Sequence, residues 1–374
     1  MSNSFEFIDI ILFVGFVQGL FLTFTLQRIS NTNKRANAML LLVIGIVTVM
    51  LIGRFVFFRF FSPWIFQWSL LVDTILYLFG PLLYVYVRRL LFKEEESYFL
   101  PGYHFLPTVL FLIATGYYLI AYTPDAYLAH YRAGGLDLFF ALVTASVKLL
   151  NAAYILASFM LVRRYKQSEK RVLSYHQNPV KYLNYFLVAV GLCLLAWVLS
   201  SLNYNLLDRY FTYVDYNTVW VAIAIFMYVI GYYSLKQPEL FRMAMNPAVK
   251  QKKDRLSPSE ATVLSQKLDQ LMKVDKFYLK SDLTLKQTAE VLQTSSNNIS
   301  WLLNNVYQTT FYDYINGFRI QEFVQKVENR EHLTHTILAL SYDVGFNSKS
   351  TFNKAFKLTM NNTPSEFIKK HRAA

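Results

Sequence analysis

The chain is 374 residues long, room for two or three domains, and carries a net charge of +13. Hydrophobic residues make up 54% of it and charged residues 16%, against about 25% charged in a soluble domain, so a wholly soluble protein is excluded as the simple reading and a membrane part is expected. The single cysteine, Cys193, lies in an apolar run, which rules out a disulfide framework and a cysteine-based metal site.

The apolar runs concentrate in residues 1–235, whereas 236–374 has the composition of an ordinary soluble domain. Both parts are basic, with 17 Lys/Arg against 11 Asp/Glu in the first and 20 against 13 in the second. Membrane topology accounts for the first excess and a nucleic-acid partner for the second. His332 and His335 are three apart but have no acidic or cysteine companion to complete a ligand set, so neither metal nor cofactor is expected.

In chain order, the N-terminus lacks a basic n-region. Glu6 and Asp9 flank the first apolar run and no small-residue cleavage site follows it, so the run reads as a retained span. Seven runs approach the roughly 20 apolar residues that a bilayer-crossing helix needs: 8–27, 36–57, 69–91, 103–122, 136–162, 182–203 and 214–235. Their length suits helices, which satisfy their own backbone in lipid. With the N-terminus outside, the inward loops hold twelve Lys/Arg and the outward loops four, Arg54 and Arg59 among the latter. That bias places the N-terminus outside and residues 236–374 in the cytoplasm.

The outward side is rich in aromatics, including Trp64, Phe66, Trp68, Tyr122, Tyr127, Tyr131, Tyr210 and Tyr213. They read as a headgroup belt or as a ligand vestibule. Three polar residues inside spans are candidates for sensing a membrane or small-molecule signal, because such groups are expensive in lipid. Lys148 falls near the middle of the fifth run, Asn151 follows three residues later on the same helical face, and Asp73 lies about a turn into the third. Asp73 is a conceivable partner for Lys148, although the estimated depths differ by roughly 10 Å. Gly80-Pro81 is expected to kink the third span. No transporter signature and no catalytic constellation stands out, so the chain is not expected to be an enzyme.

Residues 236–256 read as a basic juxtamembrane linker, with the run Lys250-Gln251-Lys252-Lys253-Asp254-Arg255, suited to anionic lipid or to DNA phosphate. Ser257-Pro258-Ser259-Glu260 then has the form of a capping box opening a helix, and 257–374 forms the last domain.

That domain reads as two helix-turn-helix units. In the first, Leu285, Ala289 and Leu292 space a helix over 284–293, Thr294-Ser295-Ser296 turns and caps, and a second helix runs from about Ser296 to Tyr307. Its buried stripe is Ile299, Leu302, Leu303 and Val306, leaving Asn297, Ser300, Trp301 and Asn304 outward. An amphipathic helix over 311–327 follows. In the second unit, Thr336, Ile337, Ala339, Leu340 and Val344 pattern the opening helix, Gly345 suits a left-handed terminus, and a helix over 348–358 buries Phe352, Ala355 and Phe356. Ser348, Lys349, Ser350, Asn353, Lys354 and Lys357 are left at its start or on its outward face. Asn pairs with adenine N6/N7 and Lys donates to guanine O6/N7, while Ser, Lys and helix-start amides bind phosphate. A small helical bundle with ordinary polar faces has the same pattern.

Residues 284–370 resemble the DNA-binding domain of the AraC/XylS family of bacterial transcription regulators. The likeness rests on the Leu285, Ala289, Ser295, Ile299 frame, on Phe311, Tyr314, Ile315, Arg319 and Ile320, on Val344-Gly345-Phe346 with Ser348, Phe352, Phe356 and Lys357, and on the closing Thr363-Pro364-Ser365-Glu366-Phe367. It implies two recognition helices in successive major grooves, roughly 34 Å apart, with base contacts at Asn297, Ser300 and Trp301 and at Lys349, Ser350, Asn353 and Lys354. The chain departs from the family pattern at Gln308 and Asn361, where the family commonly has Gly, and at Trp301, where it often has Arg. The expected protein is therefore all-α: a seven-span bundle in a bacterial inner membrane, then a cytoplasmic domain that binds double-stranded DNA. RNA polymerase and a second copy of the chain are further expected partners. Alternative readings are a transporter or enzyme whose helical domain is an interaction module, and a domain cut free at the linker.

Overall fold

A computed structural model describes residues 7–28, 34–92, 97–174, 178–205, 215–236 and 256–372. Every regular element among them is helical, and the one strand-like contact is an isolated antiparallel bridge between Leu173 and Thr284. The chain divides into two compact units. The first comprises Met1–Val162 and Lys181–Pro247, the second Arg163–Val180 and Ala248–Ala374.

The first unit holds α1 (Phe7–Arg28), α2 (Lys34–Arg59), α3 (Pro63–Thr74), α4 (Leu76–Leu91), α5 (Leu106–Ala121), α6 (Pro124–Arg132), most of α7 (Asp137–Glu169), most of α8 (Asn178–Asn205) and α9 (Tyr216–Lys236). Among the described residues six helices are long and apolar enough to cross a membrane: α1, α2, α3–α4 taken together, α5 with the turn before it, α7 and α8. The seventh expected run forms α9, whose described apolar stretch Tyr216–Ile230 is shorter. Glycines bring α1 close to its neighbours: a Cβ on Gly19 would meet the Thr48 hydroxyl of α2, and one on Gly15 would meet Ala224 of α9. A buried cluster of Leu70, Tyr77, Phe111, Tyr127, Leu136 and Val147 ties α3 to α7. The outward faces stay apolar, with Ile113 65%, Ile120 89% and Leu149 72% exposed.

The third run breaks at Ile75, not at Gly80-Pro81. Ile75 donates to Val72 O and accepts from Leu78 N, the tighter i to i+3 spacing, and α4 continues through Pro81. Proline removes the amide that would bind Tyr77 O and crowds that carbonyl, so the disturbance is felt in the turn before it. Tyr210, Tyr213 and the basic linker run fall outside the described residues.

The second unit is built on α10 (Pro258–Lys273), α11 (Leu285–Val291), α12 (Ser296–Asn305), α13 (Phe311–Glu328), α14 (Ile337–Asp343), α15 (Lys349–Met360) and α16 (Pro364–Arg372). Capping boxes open α10 at Ser257/Glu260 and α11 at Thr284/Gln287. Two apolar clusters lie side by side along α13. The first joins α10, α11 and α12 to Phe311 and Ile315, and the second joins Ile320, Phe323 and Val327 to α14, α15 and α16. Gln308 (φ 51°), Asn361 (φ 54°) and Gly345 (φ 93°) occupy the left-handed region. The backbone therefore makes the demand that glycine would meet most easily at the first two positions as well.

Candidate nucleic-acid interface

The two helix pairs α11–α12 and α14–α15 present different surfaces. On α15, Phe352, Ala355 and Phe356 are buried while Lys349, Ser350, Asn353, Lys354 and Lys357 are exposed. These five recur at helical spacing and share one face. Ser348 is the N-cap and accepts from Thr351 N at 3.2 Å. The face borders a groove of about 640 Å³ that Lys349, Asn353 and Lys357 share with Thr336 and Thr363, the caps that precede α14 and α16. Three cations, an amide and a hydroxyl thus stand exposed on a helix whose reverse side is core, the Ser350 hydroxyl lying 3.3 Å from that of Ser348.

The α12 face is poorer than its sequence suggests. Ser300, expected outward, is 6% exposed. Trp301 is half-buried and packs against the first cluster. Asn304 turns its amide back to Ser300 O at 2.8 Å, and Asn297 is half-buried with Oδ1 enclosed. Val306, expected in the buried stripe, is 51% exposed. The cause is α10, which packs against α12: Tyr307 on the turn after α12 meets Ser265 at 2.7 Å and Asp269 at 3.0 Å. A helix with neighbours on several sides has no broad outward face.

Arg319 of α13 is 1% exposed. Its Nε donates to Tyr278 O at 2.7 Å and its Nη2 to Lys280 O at 2.6 Å. Burial draws its pKa down to about 10, with Tyr312 and Asp282 acting in the opposite direction, so the guanidinium stays charged at neutral pH. It is a structural cation, not a phosphate contact. Glu322 on the same helix accepts from Lys276 Nζ and from the Tyr278 hydroxyl at 2.8 Å each.

In the first unit a cavity of about 460 Å³ is lined by apolar side chains and by Arg54, Asp73, Asn151, Tyr216 and two indoles, Trp197 and Trp220. Its size is that of a small-molecule site. Asp73 shares this cavity with Arg54 of α2, a residue that the loop count assigns to an outward loop. Lys148 instead sets its ammonium 5.2 Å from the Trp197 ring centre, a cation–π contact. Asn151, 4% exposed, donates to Leu76 O at 3.2 Å beside the Ile75 break. The structure thus brings Asp73 and Asn151 to one cavity with Arg54, and leaves Lys148 beside one of its walls. An arginine among phenylalanines at 54–58 was the signal available in the sequence.

Neither a curated protein nor a solved structure matches this chain. A family model described as a helix-turn-helix domain matches residues 288–370, a span that runs from α11 through α16. The C-terminal part of the chain therefore contains a helix-turn-helix domain, and the match supports DNA-binding transcription regulation.

Proposed function

We propose that the protein is a membrane-anchored bacterial transcription regulator that binds double-stranded DNA sequence-specifically through two helix-turn-helix units, α11–α12 and α14–α15. The observation that carries this reading is the α15 face, where Lys349, Ser350, Asn353, Lys354 and Lys357 are all exposed within the matched domain. Asn353 and Lys354 have the donor and acceptor chemistry for base edges, and Lys349 and Lys357 that for phosphate. The second unit dominates readout, because α12 leaves few polar groups free. The full-length protein in lipid nanodiscs, offered a random duplex pool at physiological salt, should enrich a defined sequence. Enrichment of none, or an unchanged sequence after Asn353→Ala/Lys354→Ala, would sink the reading.

The six long helices among the described residues, whose outward faces are apolar, support anchoring in the inner membrane, with α9 as a seventh span and the DNA-binding domain in the cytoplasm. Proteins in water rarely expose apolar patches of that extent. The cavity at Arg54, Asp73 and Asn151 supports control by a signal. It suits a small molecule with an apolar body and a polar end that accepts from Arg54 and donates to Asp73. RNA polymerase and a second copy of the chain remain proposed partners.

A further inference from the structure

Residues 163–180 belong to the second unit, although in sequence they lie between two apolar helices of the first. Helix α7 runs unbroken to Glu169 and ends in tight turns, with Val172 N and Leu173 N both donating to Glu169 O. The chain then lies antiparallel to the entry of α11. Leu285 N donates to Val172 O at 2.8 Å and Ser174 N to Leu283 O at 3.3 Å, while the Ser174 hydroxyl donates to Leu283 O at 2.7 Å. Tyr312 N, at the start of α13, donates to Lys170 O at 3.0 Å.

The same segment reaches the middle of the domain. Ser174 O accepts from Asn316 Nδ2 at 3.2 Å and from Arg319 Nη1 at 3.4 Å. Arg319 in turn holds the carbonyls of Tyr278 and Lys280 ahead of α11. It also sits against the turn of the second helix pair, where a Cβ on Gly345 would lie 2.9 Å from its Nε. Leu173, Ser174, Asn316 and Arg319 are each at most 2% exposed. One buried guanidinium therefore joins the 170–174 segment, the entry to the first helix pair and the turn of the second.

We infer that Lys170–Ser174 is a clasp that fixes the spacing of the two helix pairs, and that movement of α7 regulates DNA affinity by opening or closing it. This deepens the DNA-binding reading and rests on it. Opening the clasp strips partners from Leu283 O, Leu285 N, Tyr312 N and Arg319 in a buried place, which is unfavourable. The elements that set the spacing loosen, and that spacing must match successive major grooves. The closed clasp is the state competent for DNA. Asn151 and Ile155, which line the cavity, stand on the same unbroken helix, so α7 is the direct covalent route from cavity to clasp, in addition to the linker that follows α9.

The test uses the full chain in lipid nanodiscs. In a Cys193→Ser background, Leu173→Cys/Thr284→Cys places two thiols at bridge partners, whose Cα separation of about 4.5–5.5 Å allows a disulfide. Mild oxidation should form it nearly completely. The oxidised protein should bind the selected duplex at least as tightly as its own reduced form. Ser174→Pro and Asn316→Ala should each bind that duplex about tenfold more weakly or worse, with non-specific binding unchanged, and should expose the Leu285 amide to hydrogen exchange. Failure of the crosslink, or Ser174→Pro binding within about twofold of wild type with Leu285 still protected, would overturn the clasp. Should wild type select no duplex at all, the regulator reading fails instead, while crosslink and exchange still decide the clasp.

Discussion

Lys349 and Lys357 give the DNA-binding reading its most quantitative consequence. Both are exposed on one face of α15. A protein that neutralises phosphates releases counterions, and log K falls with log salt by about 0.9 per contact. If Lys349 and Lys357 each meet one phosphate, the two contribute a slope of about −1.8, or a roughly 12-fold loss of affinity between about 50 and 200 mM salt. The double variant Lys349→Ala/Lys357→Ala should therefore flatten the slope by about 1.8 on any duplex. Its helix should persist, because alanine is the strongest helix former and no buried contact is removed. Asn353→Ala should leave the slope alone and lose about 1–3 kcal/mol on the selected sequence only. The assay is fluorescence anisotropy of full-length protein in nanodiscs on selected and scrambled duplexes across that salt range. A slope change smaller than about one, or an Asn353→Ala loss equal on both duplexes, would refute the assignment of this face.

Gln308→Gly should raise the thermal midpoint by an amount equivalent to about 0.5–1 kcal/mol, because a non-glycine left-handed residue costs about 1–2 kcal/mol while glycine adds unfolded-state entropy. Asn361→Gly should give less, since Asn tolerates that region. A lowered midpoint for Gln308→Gly would contradict this account. Burial pushes the Glu322 carboxyl up, but hydrogen bonds from Lys276 and Tyr278 outweigh it and hold the group below its ordinary value of 4.5. Glu322 therefore contributes stability that is present above pH 4.5 and is lost as pH falls through the lower folded value. The stability gap between wild type and Glu322→Gln, read by acid titration of circular dichroism, should close on acidification below that point. In the membrane part, a double-mutant cycle of Arg54→Met and Asp73→Asn should show a coupling of about 0.5–3 kcal/mol in detergent unfolding, followed by the fluorescence of Trp197 and Trp220. No coupling would separate the two charges.

Much of the second unit was legible because its signals are local. The capping box at Ser257/Glu260 and the glycine at 345 act within a few residues, and the period of Phe352, Ala355 and Phe356 decides a face when a helix is covered on one side only. The same rule misplaced Ser300, Trp301 and Val306. Helix α12 is packed by α10, α11 and α13, and the period of one helix carries no information about how many neighbours cover it. The break at Ile75 was misplaced for a related reason: proline marks the turn it disturbs, not the residue at which the helix yields.

By itself the sequence determined where the long apolar stretches and the two helix pairs of the second unit lie, and that the α15 face carries lysine and asparagine, because these follow from composition and spacing along the chain; the short helices α6 and α16 were not read from it. Only the tertiary structure decided that Asp73 shares a cavity with Arg54, and that Lys148 sits over an indole. It alone placed 170–174 in the second unit, through backbone hydrogen bonds to residues more than a hundred positions away. Every non-proline residue offers the same N–H and C=O, so the side-chain pattern holds no record of which distant backbone will satisfy them.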